Sequence, residues 1–107
     1  MSDFAATLAR LTATIEARRG GDPKASWSAK LLADRPLAAK KLAEEALEAA
    51  LASIQNDHDA LVAESADLVY HWLVVLAAAG VTLDEVAAKL DERDGVSGIA
   101  EKASRKK

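Results

Sequence analysis

Apolar residues recur three and four positions apart along most of this chain, and no segment alternates with the period of a strand. Phe4, Leu8, Leu11 and Ile15 mark one face of a first helix, which Ser2 or Asp3 can cap and which runs to about Arg18. Gly20-Gly21-Asp22-Pro23 ends it. Ser26 can cap a short helix through Lys30, Leu31 and Leu32. Pro36 fits the first turn of a long helix that reaches about Gln55, with Leu47, Leu51 and Ile54 on one face. Asn56-Asp57 supplies a turn and a cap for a second long helix, from about His58 to Ala79, which Gly80 stops. Thr82 and Glu85 form a capping box for a further helix with Leu83, Val86 and Leu90 facing inward. Asp94-Gly95 breaks that helix, and Gly98 to Lys102 forms one more short turn. The pattern predicts an all-α, up-down bundle of about four main helices in a single domain over residues 1–107. From Leu68 to Ala79 the chain is apolar on nearly every side of its helix, which a buried central helix or a homodimer interface would satisfy.

Two acidic motifs interrupt this apolar pattern. They are Glu44-Glu45-Ala46-Leu47-Glu48 on one long helix and Glu64-Ser65-Ala66-Asp67 on the next. Side chains three apart share a helix face, so Glu45 projects with Glu48, and Glu64 with Asp67, while Glu44 flanks the first pair. If the two helices lie side by side, four or five carboxylates converge. Carboxylates that close repel one another and take up protons unless a cation sits between them. An all-oxygen set suits Mg²⁺, with Mn²⁺ as a substitute, and Mg²⁺ on carboxylates is a usual partner of phosphate chains. A Glu cluster alone is more often a solvated helix face. The second motif changes that balance, because it heads the most apolar run in the chain, where charges are paired or bind metal.

Composition narrows the classes further. Half of the residues are hydrophobic, but only four are aromatic, which favours closely packed Ala/Leu/Val helices. There is no cysteine, so disulfides and thiolate metal sites are excluded, in keeping with a reducing compartment. The amino terminus lacks the layout of a signal peptide, and the Leu68–Ala79 run is too short to span a bilayer. A soluble, cytoplasmic protein with no membrane partner is expected. The net charge of −3 argues against a nucleic-acid partner. Basic residues gather at Arg18-Arg19, Lys24 and Lys30, and again in the tail at Lys102, Arg105, Lys106 and Lys107. Lys30, Lys40 and Lys41 are candidate clamps for an anionic substrate. Lys41 can alternatively pair with Glu45 four residues on.

The paired motifs Glu-Glu-x-x-Glu and Glu-x-x-Asp resemble those of the MazG-like, all-α NTP pyrophosphohydrolase superfamily. Within it, Ser26-Trp27-Ser28-Ala29-Lys30-Leu31-Leu32, Lys40-Lys41, Glu64 to His71 and Ser97-Gly98-Ile99-Ala100-Glu101-Lys102 resemble the phosphoribosyl-ATP pyrophosphatase family. Ala43, Ser28 and Trp72 depart from the family's common residues without removing an acidic one. The resemblance implies Mg²⁺-dependent hydrolysis of phosphoribosyl-ATP to phosphoribosyl-AMP and pyrophosphate, early in histidine biosynthesis, by a homodimer. It implies that Glu45, Glu48, Glu64 and Asp67 hold the metal. Glu44 would then be a neighbouring support, a ligand of a further Mg²⁺, or the base for the attacking water. His71 follows Asp67 by four residues and faces the same way, as a hydrogen-bonding group for a carboxylate or the substrate, or as a buried and satisfied histidine. Tyr70 belongs either to the site or to the core. Trp27 can stack on adenine or close the bundle end. Ser97 and Gly98 can let backbone N–H groups approach a phosphate. Arg93 and Lys102 can add positive charge from either chain of a dimer.

Two other readings use the same residues. A general NTP or dNTP pyrophosphohydrolase would carry the same acidic motifs without the Ser26–Leu32 and Ser97–Lys102 flanks. A non-catalytic helical interaction module would leave the acids as a solvated face and would ignore Mg²⁺.

Overall fold

The computed structural model describes residues 3–105, except for the side chain of Glu101. Ser2, a possible first cap, and the tail lysines Lys106 and Lys107 lie outside the described residues. Among the described residues six helices follow one another: α1 Phe4–Ala17, α2 Trp27–Leu32, α3 Arg35–Ile54, α4 His58–Ala79, α5 Leu83–Arg93 and α6 Gly98–Arg105. No strand occurs among the described residues.

Local chemistry sets the boundaries. Side-chain oxygens of Asp3, Ser26, Asp34, Asp57 and Thr82 each accept a backbone N–H in the first turn of the helix they precede. Thr82 and Glu85 satisfy each other's backbone donors in a complete capping box. Gly80 closes α4 at φ 73, a left-handed conformation that costs a residue with a Cβ far more than glycine. The last segment is longer than the expected single turn: α6 spans 8 residues, started by Ser97 Oγ accepting the Ala100 N–H at 3.0 Å.

α4 is the central helix. It lies along α3 and is covered on other sides by α1 and α2. Ile15, Leu31, Ala38, Leu73, Val74 and Ala77 form the buried core, one contiguous cluster drawn from all four helices. Arg19 fastens the end of α1 to it by donating to the Ala77 carbonyl oxygen at 2.8 Å. At 22 residues, the whole of α4 is long and apolar enough by length and composition to cross a membrane, although its Leu68–Ala79 run alone is not. The core helix of a globular bundle passes the same test, and α4 carries Asp59, Glu64 and Asp67 in its first half.

The Leu68–Ala79 run lies in the central helix, one of the two arrangements expected for it. None of Leu68, Val69, Trp72, Leu73, Val75 and Leu76 is among the exposed large hydrophobics, because α1, α2 and α3 pack against that half of α4, although all but Leu73 are only partly buried. An exposed apolar stripe lies on α3, at Leu47, Leu51 and Ile54, the last 75% exposed. Leu90 on α5 is 65% exposed rather than inward, since α5 packs only sparsely beyond Leu83.

Candidate metal and phosphate site

α3 and α4 run together along the stretch that carries the acidic residues, and their long contact brings the two motifs face to face. Carboxylate oxygens of Glu45, Glu48 and Glu64 all lie within 4.8 Å of one another. Glu45 and Glu64 are partly buried, while Glu48 is exposed. Asp67 is exposed and outside this compact set, but its charge reaches both Glu45 and Glu64.

The electrostatics are unfavourable without a cation. Glu64 is pushed up to about 7, first by a proton shared with Glu48, then by burial and by the charges of Glu48, Asp67 and Glu45. Burial raises Glu45 as well, helped by the charge of Glu48 and opposed by His71. The Oε2 atom of Glu64 is buried with no hydrogen-bond partner. Such an atom costs free energy unless something coordinates it. Three carboxylates at ligand spacing, one with an orphaned buried oxygen, fit a hard divalent cation such as Mg²⁺ or Mn²⁺.

Glu44 has a different environment. Lys41 donates to it at 3.0 Å, and that hydrogen bond holds its carboxyl below the usual carboxylate range. The Lys41 pair therefore forms three residues on, with Glu44, and not with Glu45 as the four-residue spacing suggested. Lys40 is exposed and adds a weaker pull on Glu44.

His71 is buried and joined at both ring nitrogens. Nδ1 lies 2.7 Å from the Asp67 carbonyl oxygen, an acceptor only, so Nδ1 carries the proton. Nε2 then accepts the Trp27 indole N–H at 3.3 Å. Its two ring nitrogens are thus both hydrogen-bonded within the chain, and neither bond goes to a carboxylate oxygen. Tyr70 stands edge-on to it with ring centroids 4.9 Å apart, and its hydroxyl meets Ser28 Oγ at 2.5 Å. Trp27 is 43% exposed, with the Lys30 ammonium 5.7 Å from its ring centroid.

The candidates on the last two helices are not gathered at the cluster. The causes that shift Glu45 and Glu64 come from burial and from side chains of α3 and α4. Arg93 borders a recess between α5 and α6 with Val96 and Arg105. Ser97 caps α6, and a Cβ added at Gly98 would meet nothing, so no close backbone approach within the chain requires a glycine there. Lys102 is exposed in the last turn of α6. Sequence reasoning missed the Ser28–Tyr70 bond and the Trp27–His71 bond, which span 42 and 44 residues. The only signal in the sequence was the run of hydrogen-bonding residues at Ser26–Ser28 and Tyr70-His71.

The family model described as phosphoribosyl-ATP pyrophosphohydrolase matches residues 8–94, which include every acidic residue of the cluster. A phosphoribosyl-ATP pyrophosphatase of Caulobacter vibrioides (strain NA1000 / CB15N) is 65% identical over 98 residues, 92% of each chain. One from Caulobacter sp. (strain K31) is 59% identical over 105 residues, 98% of each chain, a span that takes in the Ser97–Lys102 flank. One from Rhodobacter capsulatus is 58% identical over 99 residues, 92% of this chain and 96% of its own.

Proposed function

The chain belongs to the phosphoribosyl-ATP pyrophosphohydrolase family, and from that premise we propose how its residues do the family's chemistry. The protein is a hydrolase of a phosphoric anhydride bond, converting phosphoribosyl-ATP to phosphoribosyl-AMP and pyrophosphate in histidine biosynthesis. Glu45, Glu48 and Glu64 would hold Mg²⁺, with Asp67 at the edge of the set. Bound there, Mg²⁺ would neutralise and orient the phosphate chain and lower the pKa of a coordinated water. Glu64 would have to be ionised to serve as a ligand there. Glu44, kept ionised by Lys41, holds that lysine's ammonium beside the cluster, where it can meet the departing pyrophosphate. Lys40 and Lys30 add positive charge, and Trp27 offers a flat apolar surface to a base.

A homodimer extends this reading. Leu47, Leu51 and Ile54 leave on α3 an apolar stripe that a second copy would cover, gaining roughly 25 cal/mol per Å². In that assembly Arg93, Ser97, Gly98 and Lys102 would serve the partner's cluster. The protein is read as cytoplasmic, with no membrane or nucleic-acid partner.

The orphaned Oε2 of Glu64 beside Glu45 and Glu48 carries the proposal, because a solvated acidic face would leave no buried oxygen unpaired. Pyrophosphate release from phosphoribosyl-ATP, measured with Mg²⁺ beside a panel of NTPs and dNTPs, tests it. Turnover is expected with phosphoribosyl-ATP far above the others. Faster turnover of ordinary nucleotides would move the protein to a general pyrophosphohydrolase, and no turnover of any would leave a binding module.

A further inference from the structure

α2 has six residues, too few to hold its own conformation, and it presents two unlike faces. Ala29 and Leu31 point into the core and are almost completely buried. Trp27 and Lys30 remain exposed on the other side, the ammonium lying over the indole. Two side-chain hydrogen bonds fix that outer face, and both go to consecutive residues of α4. Ser28 Oγ meets the Tyr70 hydroxyl, and the Trp27 indole N–H donates to His71 Nε2.

His71 has no lone pair left for chemistry. Its Nδ1 proton is committed to the Asp67 carbonyl oxygen, and its Nε2 lone pair to Trp27. An indole N–H can only donate and a carbonyl can only accept, so the two partners make Nδ1 the donor and Nε2 the acceptor. The ring thus links the helical turn that bears Asp67 to the ring plane of Trp27. Resting on the hydrolase reading above, we propose that Tyr70 and His71 are positioning residues. They hold α2 so that the Trp27 indole and the Lys30 ammonium form one wall of the nucleotide site, the indole for the base and the ammonium for phosphate. Neither touches the reacting atoms.

The two amide replacements of His71 separate its two bonds. His71→Asn keeps a donor near the Nδ1 position and lacks an acceptor for Trp27, whereas His71→Gln places an amide near Nε2. Tyr70→Phe removes the hydroxyl from Ser28. Steady-state kinetics on phosphoribosyl-ATP should show KM raised about five- to tenfold in Tyr70→Phe and in His71→Asn, the size expected for one lost hydrogen bond. Neither variant should change kcat or the Mg²⁺ concentration for half-maximal rate, and His71→Gln should recover most of KM. With 5-fluorotryptophan incorporated, the ¹⁹F resonance of Trp27, assigned through Trp27→Phe, should shift in Tyr70→Phe and His71→Asn while that of Trp72 stays.

Unchanged KM in both variants overturns the proposal, as does a fall in kcat or Mg²⁺ response at constant KM, which would place His71 in service of the carboxylates. If the wild-type protein fails to hydrolyse phosphoribosyl-ATP, the hydrolase reading falls. The ¹⁹F spectrum then decides the positioning alone, and an unmoved Trp27 signal in both variants rejects it. Should Tyr70→Phe not fold by circular dichroism, Ser28→Ala removes the same bond from the other side.

Discussion

Around Leu73 and Val74, α4 is closed off by apolar side chains from α1, α2 and α3, and both residues are almost inaccessible to water. Less than three turns earlier the same helix presents Glu64, partly buried among like charges with one oxygen unsatisfied. The first region has the features of a stabilising core: close packing, a contiguous apolar cluster and a guanidinium bonded to the Ala77 carbonyl oxygen near the helix end. The second has features that lower stability, since a raised carboxyl pKa means that the ionised form is disfavoured in the folded state. A helix that packs so well at one end has no packing need to bring Glu64 against Glu45 and Glu48 of α3 at the other. The cost is explained if the cluster exists to take up a cation.

The largest expected effect is on turnover. Glu48→Gln and Asp67→Asn each keep side-chain shape and remove a charge, and each should slow pyrophosphate release by at least about 100-fold. Glu48 is also the first cause of the raised Glu64 pKa, so the metal-free Glu48→Gln protein should melt no lower than wild type at pH 8. Near-wild-type rates in either variant, or a large loss of melting temperature in Glu48→Gln, would erase the contrast between the regions.

Leu73→Ala makes the opposite cut. It should cost about 2–5 kcal/mol of stability, read from denaturant unfolding, through a cavity in the core. The Mg²⁺ concentration that gives half-maximal rate in the remaining folded enzyme should not change. A shift in that concentration would mean that packing and metal site are coupled along α4.

A smaller effect is expected from the cation itself. At about a hundred times its dissociation constant, Mg²⁺ should stabilise the protein by about 2.7 kcal/mol, seen as a rise in melting temperature. The rise should vanish in Glu48→Gln and persist in Leu73→Ala. The reverse pattern would place the ion elsewhere.

Much of this arrangement is legible in the amino-acid sequence, because its causes are local. Gly80, the Thr82–Glu85 box and Pro36 act within a turn of their own positions, and the helix ends fall where they indicate. The carboxylate cluster is half local: the three-residue spacing puts Glu45 with Glu48, and only the α3–α4 contact adds Glu64. What was not legible depends on surfaces meeting at a distance. Lys41 chooses Glu44 over Glu45 by side-chain reach on one helix face, which spacing alone leaves open. The bonds from Trp27 and Ser28 to His71 and Tyr70 depend on where a six-residue helix docks. Likewise, apolar periodicity shows that Leu47, Leu51 and Ile54 share a face of α3, but not that the described residues leave it exposed.

Calorimetric titration of Mg²⁺ into the protein at pH 6 and pH 8, in buffers of different ionisation enthalpy, tests the central claim most directly. The Glu64 carboxyl is raised from 4.5 to about 7 in the folded protein. In the metal-free protein its stabilising contribution is therefore complete below about pH 4.5 and is lost as the pH rises through about 7. Mg²⁺ needs the ionised form, so binding at pH 6 must expel that proton, while at pH 8 it has already gone. The expected result is close to one proton released per Mg²⁺ at pH 6, few at pH 8, and tighter binding at the higher pH. Absence of Mg²⁺ binding at both pH values, or binding with no proton release at pH 6, would contradict a cation held by Glu45, Glu48 and Glu64.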